Sequence, residues 1–432
     1  MRFLLSFFIF LVITSILHAT EWSEIDQLAS DAQTQVVDWR RHFHQNPELS
    51  NREFETAKYI AAALESMGIE VETGIAHTGV IGLLKGGKPG PMVAIRADMD
   101  ALPVAEQTGL AFASTVTSEY QGKSVGVMHA CGHDTHMAMT LGAARVLSAI
   151  KSDLAGSVLF IFQPAEEGAP LGEEGGAELM LKEGLFERYQ PDVIFGMHVG
   201  LNMPAGQIAV RGGPIMAAVD YLQIMINGKQ THGASPWGGV DPIVVGAQVV
   251  LGLQTIASRQ LNLTKVPFII TIGQFDAGVR NNIIPDSAEM HGTIRSFDLV
   301  MQDDIHTRIK RTAESIAESA GATADVTITK QYPATVNDPA LTAKMLPTLQ
   351  RVSGDTPIVN PDLVTGAEDF SFFAREIPGL YLFLSNIAPG QDQTNSPSNH
   401  SPLFDMYEPS MELGVSAFSH LVVDYMQQAL IE

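Results

Sequence analysis

Apolar positions recur along this chain with two periods, and the changes of period lay out its architecture. Residues 22–45 and 53–68 carry apolar side chains at helical spacing, and the second run stops at Gly68, a residue type suited to the left-handed turn after a helix. Strand-like runs follow at 69–73 and 79–84. MVAIRA at 92–97 is a short apolar strand leading into DMDALP, and SVLFIF at 157–162 and DVIFGMHV at 192–199 are of the same kind. Short runs this apolar fit strands buried on both faces. A helical run at 135–151 lies between the first two, and a strand near 380–385 and a helix at 408–429 close the chain. Strands alternating with helices predict an α/β domain with a mostly parallel sheet.

The stretch from about 215 to 331 has another order: strand 219–227, helix 240–261, strand 266–275, strand 284–296, helix 299–320, strand 323–331. That βαββαβ order is the ferredoxin-like unit, which can fold as a domain of its own inside a larger one. The expected division is therefore 20–214 and 332–432 for the two parts of the larger domain and 215–331 for the insert.

Length and charge narrow the picture. The 432 residues fit two domains better than one. The 48 acidic against 26 basic residues give a net charge of −22, which repels phosphate backbones and argues against a nucleic-acid partner. Residues 1–19 have a basic start at Arg2, an apolar run from Phe3 to Leu17 and a small residue at Ala19. This is the pattern of a secretory signal peptide, so export to a periplasm or beyond the cell is expected. The other reading is a retained anchor, against which stands a run shorter than the ~20 residues that span a bilayer. No later segment reads as apolar enough to span, so no membrane association is expected after cleavage. The one cysteine, Cys131, cannot form an internal disulfide, and metal ligation would both use and protect an exported thiol.

Residues with metal and acid–base chemistry collect just past the apolar strands. MHACGHDTHM at 128–137 holds His129, Cys131, His133, Asp134 and His136 within eight positions. Thiolate, imidazole and carboxylate are ligands of zinc and similar ions. Five groups are too many for one ion's ligands, and Asp134 suits a cap on the following helix. QPAEEG at 163–168 sets Glu166 beside Glu167, two carboxylates that repel unless a cation or proton intervenes. With a metal present the two divide the chemistry, one as a ligand and the other as the acceptor of a proton from water. His198 ends the strand 192–199, Asp98 and Asp100 follow the strand 92–97, and His400 stands in the polar loop NHSP.

RADMDALP, HACGHDTH, QPAEEG, GMHVG, THGASP, NNIIPDSAEMHGTIR and GAEDFSFF occur in an order that resembles the dinuclear metallo-amidohydrolases related to aminoacylases and glutamate-type carboxypeptidases. The chain is most similar to their branch of hippurate hydrolases and auxin-amino-acid conjugate hydrolases. The resemblance runs from WRRHFHQNPELS at 39–50 to NHSPLF at 399–404. It implies a mixed-sheet α/β metallopeptidase domain of the phosphorylase/hydrolase-like type, with the ferredoxin-like insert as a lid that pairs two subunits into a homodimer. It also implies two divalent ions, Mn²⁺ or Zn²⁺ with Co²⁺ or Ni²⁺ as substitutes, held by Cys131, His133, Glu167, His198 and His400. Cys131 then stands where the carboxypeptidase relatives have a bridging Asp, and His133 replaces a ligand His that they carry at the position of Asp98.

By the same resemblance Glu166 is the general base and Asp100 orients the metal site. His232 of the lid stabilises the oxyanion, often across a dimer, Asn282 and Arg295 face the substrate's carboxylate side, and Glu368 lies near the substrate pocket. The lid motif departs from the family's GKGGHGAxPH: Gln230 and Thr231 replace glycines, and Trp237 stands where a His is common. The activity implied is hydrolysis of the amide bond of N-acetyl, N-benzoyl or indole-acetyl amino acids. A dipeptidase or carboxypeptidase would use the same two ions. A non-catalytic periplasmic binding protein would need no base, whereas Glu166 is present. A deacylase of amino-acid biosynthesis would work in the cytoplasm, which export opposes.

Overall fold

The computed structural model describes the backbone of residues 2–430 and the side chains of residues 22–430; the expected leader at 1–19 lies outside the residues whose side chains are described. The chain divides into two compact units. The first comprises Met1–Gly213, Asn337–Pro361 and Phe373–Glu432, and the second Pro214–Val336 and Asp362–Phe372. The sequence reading placed 332–336 and 362–372, Glu368 among them, in the larger domain; both segments belong to the second unit. Backbone pairing draws 362–372 there, because Ala217 N–H donates to the carbonyls of Val364 and Gly366, and Val364 N–H donates to Ile215.

In the first unit, strands β1 (Glu70–Ile75), β2 (Gly79–Lys85), β3 (Lys88–Asp98), β4 (Ala155–Gln163), β5 (Val193–Val199), β6 (Ile208–Ala209) and a late strand, Gly379–Leu384, form one sheet. Its order is β1, β2, β4, β3, β5, the late strand, β6. The four central strands pair in parallel, but β1–β2, β2–β4 and the late strand with β6 pair antiparallel. The sheet is therefore mixed rather than mostly parallel. A link as short as residues 76–78 can join β1 to β2 only as an antiparallel hairpin, since parallel neighbours need a long crossover.

Phe160, Phe162 and Phe195 are fully buried. Burying each such side chain is worth ~1.5–3 kcal/mol, which keeps β4 and β5 in the middle of the sheet. Helices α1 (Arg2–Gln45), α2 (Phe54–Ser66) and α3 (His133–Ala149) pack with the closing helix Met411–Ala429 around this core. Gly68 follows α2 with φ +74° and donates its N–H to Glu65 O, the left-handed cap its position suggests.

The second unit holds strands β7 (Ala218–Asn227), β8 (Ile269–Ala277), β9 (Ser287–Ser296) and β10 (Thr323–Tyr332), with helices α4 (Pro242–Thr255) and α5 (Leu299–Ser319). The sheet order β8, β9, β7, β10 is antiparallel throughout, which is the ferredoxin-like arrangement. Leu222, Ile224, Ile226, Met290 and Ile294 point to one face and meet Val249, Leu253, Ile305 and Ile309 of the helices. The late strand of the first unit is β11 (Gly379–Leu384). One expectation is corrected here. The helical stretch Pro242–Gln260 is long and apolar enough, by length and composition, to cross a membrane. Part of that apolarity serves the unit's core, where Val245, Val249, Leu253 and Ile256 are buried, while Ile243, Val244 and Leu251 are exposed.

Candidate metal centre

Parallel β3, β4 and β5 deliver Asp98, Gln163 and Val199 to one sheet edge, and the loops beyond them carry the reactive side chains. This is the edge at which open α/β sheets place ligands. Among the groups of donor atoms that gather there, two share Cys131, one with His133 and His198 and one with Glu167 and His400, and another joins Asp98, His133 and His136. Within each group the donor atoms lie within 4.8 Å of one another. His133 also groups with Glu166 and Glu167.

Hydrogen bonds prepare the imidazoles as donors of an electron pair. His133 Nδ1 donates to the carbonyl of Asp100 at 2.7 Å, so Nε2 is the nitrogen left to an ion once the ion displaces its proton. That Nε2 is buried and has no hydrogen-bond partner among the described residues, 3.8 Å from Glu166 Oε2. His198 Nδ1 donates to Val199 O at 2.8 Å and leaves Nε2 facing Cys131 Sγ at 3.4 Å. His400 Nε2 lies 3.1 Å from Glu167 Oε1.

His136 differs. Its Nδ1 donates to Asp98 Oδ1 at 2.6 Å and its Nε2 accepts Val199 N–H at 2.9 Å, so neither nitrogen is left for an ion. Asp98 is committed too, since Arg96 Nη1 donates to its other oxygen at 2.7 Å, and Arg96 Nε donates to Gln163 Oε1. His129 is buried, has no hydrogen-bond partner on either ring nitrogen among the described residues, and is pushed by burial down to about 4.

The electrostatics call for a cation. Burial pushes the Cys131 thiol well above its usual range, and Glu167, Glu166 and Asp98 push it further. Burial alone would discharge His133, yet Asp98 and Asp100 hold it up to about 10. A dry cluster that raises the proton affinity of both its thiol and this imidazole is one in which positive charge is missing. The donor set of thiolate, imidazole and carboxylate, with a buried His133 Nε2 that has no hydrogen-bond partner among the described residues, fits divalent ions.

The loops are held in unusual backbone shapes. Gly132, just before α3, has φ +98°, and a Cβ there would meet Val199 Cγ2 at 2.4 Å, so glycine is required. Asn399 Nδ2 donates to the carbonyls of Cys131 and Val199 at 2.8 and 3.1 Å, and His400 N–H donates to Ala130 O at 2.7 Å. These bonds bring a loop from the far end of the chain onto the cluster. The sequence reading missed Asn399, Arg96 and Gln163; each adjoins a motif residue, but only the fold shows what it holds. Asp134 is not a cap: it lies inside α3 and accepts from Arg40 Nε at 2.9 Å and His44 Nδ1 at 2.8 Å.

The other expected site residues belong to the second unit. His232 pairs with Ile283 in a two-stranded ribbon, and Gly233 N–H donates to Asn282 O at 2.8 Å, so His232 and Asn282 are neighbours. His232 Nδ1 accepts Ala234 N–H, which places the proton of the neutral ring on Nε2. Trp237, on the turn Pro236–Gly238, is 83% exposed. Arg295 lies on β9, and burial lowers its proton affinity. Glu368 is buried and accepts Phe370 N–H at 2.9 Å.

Residues 94–424 match the model of peptidase family M20/M25/M40. The chain belongs to this family. Among M20 relatives it is 40% identical to thermostable carboxypeptidase 2 of Saccharolobus solfataricus, covering 93% of this chain and 98% of that protein. It is 37% identical to N-acetylcysteine deacetylase of Bacillus subtilis, over 90% of this chain and 96% of that one. A solved Bacillus subtilis structure, described as a dinuclear metal-binding peptidase from the M20 family, is 34% identical with a TM-score of 0.77, covering 92% of this chain and 99% of that one. The resemblance drawn from the motifs is thus borne out, and the M20 chain carries a metal-binding hydrolase fold.

Proposed function

We propose that this M20 chain hydrolyses the amide bond of N-acyl amino acids, releasing the free amino acid and a carboxylic acid. The observation that carries it is the pair of donor groups sharing Cys131 Sγ, with Glu166 beside them. Cys131, His133, Glu167, His198 and His400 would hold two divalent ions, Mn²⁺ or Zn²⁺. When bound, the ions supply Lewis acidity to the amide carbonyl and the attacking water. Glu166 takes the proton of that water and returns it to the leaving amine. His232, with its proton on Nε2, is the donor for the oxyanion. Asn282, Arg295 and Glu368 are assigned to the substrate, Arg295 for its carboxylate.

Identity to a deacetylase supports the acyl amino acid. Identity to a carboxypeptidase supports a second reading in which the substrate is a dipeptide or peptide C-terminus. Amine release from N-acetyl, N-benzoyl and indole-acetyl amino acids and from dipeptides, with and without manganese or zinc, decides between them. Metal-dependent release from the acyl amino acids is expected; release from dipeptides alone establishes the peptidase, and no release from metal-loaded protein overturns both.

The proposal includes export, which rests on the leader pattern of residues 1–19 and is tested by N-terminal sequencing of the protein made in its own cells. It also includes a homodimer through the second unit, supported by the edge position of β8 with its exposed Ile269 and Phe275 and tested by light scattering.

A further inference from the structure

We infer that Glu53 is a positioning residue for the reaction, fixing through its buried carboxyl group the backbone corner from which Glu166 and Glu167 project. Glu53 stands just before α2 and is fully buried. One of its oxygens accepts the backbone N–H of Ala165 at 3.0 Å and the other accepts the Thr78 hydroxyl at 2.6 Å. Asp100 takes the next two amides, with Oδ1 on Glu166 N and Oδ2 on Glu167 N, each at 3.0 Å. Three successive peptide N–H groups therefore end on two buried carboxyl groups that reach the corner from different elements. Such a run of amides is an anion-binding concavity, and here the chain fills it with its own side chains.

The corner needs this hold. Ala165 has φ +53° and is buried, a left-handed conformation that costs a residue with a Cβ ~1–2 kcal/mol and persists only where its surroundings impose it. Without Glu53, Ala165 N–H would be buried without an acceptor, and its φ would be free to relax. Glu166 is the next residue, so that relaxation swings the base and the ligand after it. A displacement of ~1 Å at a reacting group can cost ~10²-fold in rate. Burial, with Asp100 nearby, pushes Glu53 up to about 8, so near neutral pH it is largely the neutral acid and still offers an oxygen to Ala165 N–H. No apolar side chain could accept the Ala165 amide.

The inference rests on the roles proposed for Glu166 and Glu167. Its test measures kcat, KM, thermal unfolding and calorimetric Mn²⁺ affinity for wild type, Glu53→Ala, Glu53→Asp and Glu53→Gln in the full-length enzyme. Glu53→Ala is expected to lower kcat ~30–100-fold with KM within about threefold, and to weaken one of the two Mn²⁺ affinities ~10-fold. Glu53→Gln keeps an oxygen for Ala165 N–H and is expected to return kcat to within ~10-fold of wild type. If Glu53→Ala does not fold, Glu53→Asp, which withdraws the carboxyl group by one methylene, is expected to lower kcat at least ~10-fold. Variants that melt earlier while keeping wild-type kcat and Mn²⁺ affinity would overturn the inference, because Glu53 would then only support α2. If wild type hydrolyses none of the amides, the proposed function fails, and the Mn²⁺ affinities alone decide the role of Glu53.

Discussion

Asp100 Oδ1 accepts the backbone N–H of Glu166 at 3.0 Å. The other oxygen accepts Glu167 N–H and the Ser50 hydroxyl, and the carbonyl of Asp100 accepts His133 Nδ1–H. One residue thus sets the direction of the proposed base, of one proposed carboxylate ligand and of one proposed imidazole ligand. Asp100→Asn leaves a single side-chain oxygen for the two amides and the Ser50 hydroxyl and turns an NH₂ against an N–H, while the carbonyl that accepts His133 is unchanged. It is expected to lower kcat ~10–100-fold and to weaken Mn²⁺ binding, read by steady-state kinetics and calorimetry. Unchanged values would show that Ser50 and the loop hold the corner without it.

Glu166→Gln keeps the shape of the side chain but cannot take a proton. Turnover is expected to fall ~10²–10⁴-fold while metal content, measured by elemental analysis, stays at the wild-type value. Retained turnover in metal-loaded protein would remove Glu166 from the reaction.

His136 and His198 stand side by side, with ring centroids 4.7 Å apart, yet their hydrogen bonds divide their roles. His198→Gln is expected to lose about one of the two ions, whereas His136→Gln keeps both, because both His136 nitrogens are already bonded to Asp98 and Val199. Equal losses in the two variants would count against this ligand set.

Metal binding is expected to release a proton from Cys131. Burial and the neighbouring carboxylates hold this group as the thiol at neutral pH, and only the thiolate ligates. Apparent affinity should therefore weaken as pH falls, by about tenfold per unit for each proton displaced. Calorimetry in buffers of different ionisation enthalpy measures the release, which should be smaller in Cys131→Ser.

His44 gives stability its own pH dependence. Burial disfavours its charge, but hydrogen bonds to Asp134 and Glu106 outweigh that and raise it from 6.5 to about 9. A raised value in the folded state means stability that is fully present below 6.5 and lost as pH rises through about 9. The amount is on the order of 3 kcal/mol. Urea unfolding between these limits should show wild type losing stability with rising pH and His44→Gln losing less.

The sequence by itself determined the elements and the inventory of the site. Apolar runs at 92–97, 157–162 and 192–199 became β3, β4 and β5, because a strand buried on both faces needs little besides apolar side chains. The order of elements from 219 to 331 became the ferredoxin-like unit for the same local reasons. Glu166, Glu167 and His198 were legible as reactive residues past strand ends, Cys131 and His133 as a dense donor cluster, and His400 as a histidine of a polar loop.

What they do to one another was decided by tertiary structure. Asp98 and His136 have the same donor chemistry as the proposed ligands, and only Arg96 and Val199 N–H, packed against them, take them out of the set. The placement of 362–372 in the second unit, the service of Glu53 to Ala165, and the reach of Asn399 to Cys131 join residues more than a hundred positions apart. Periodicity records which face of an element is buried, whereas a hydrogen bond between distant loops depends on ångström-scale positions that exist only once the sheet has formed.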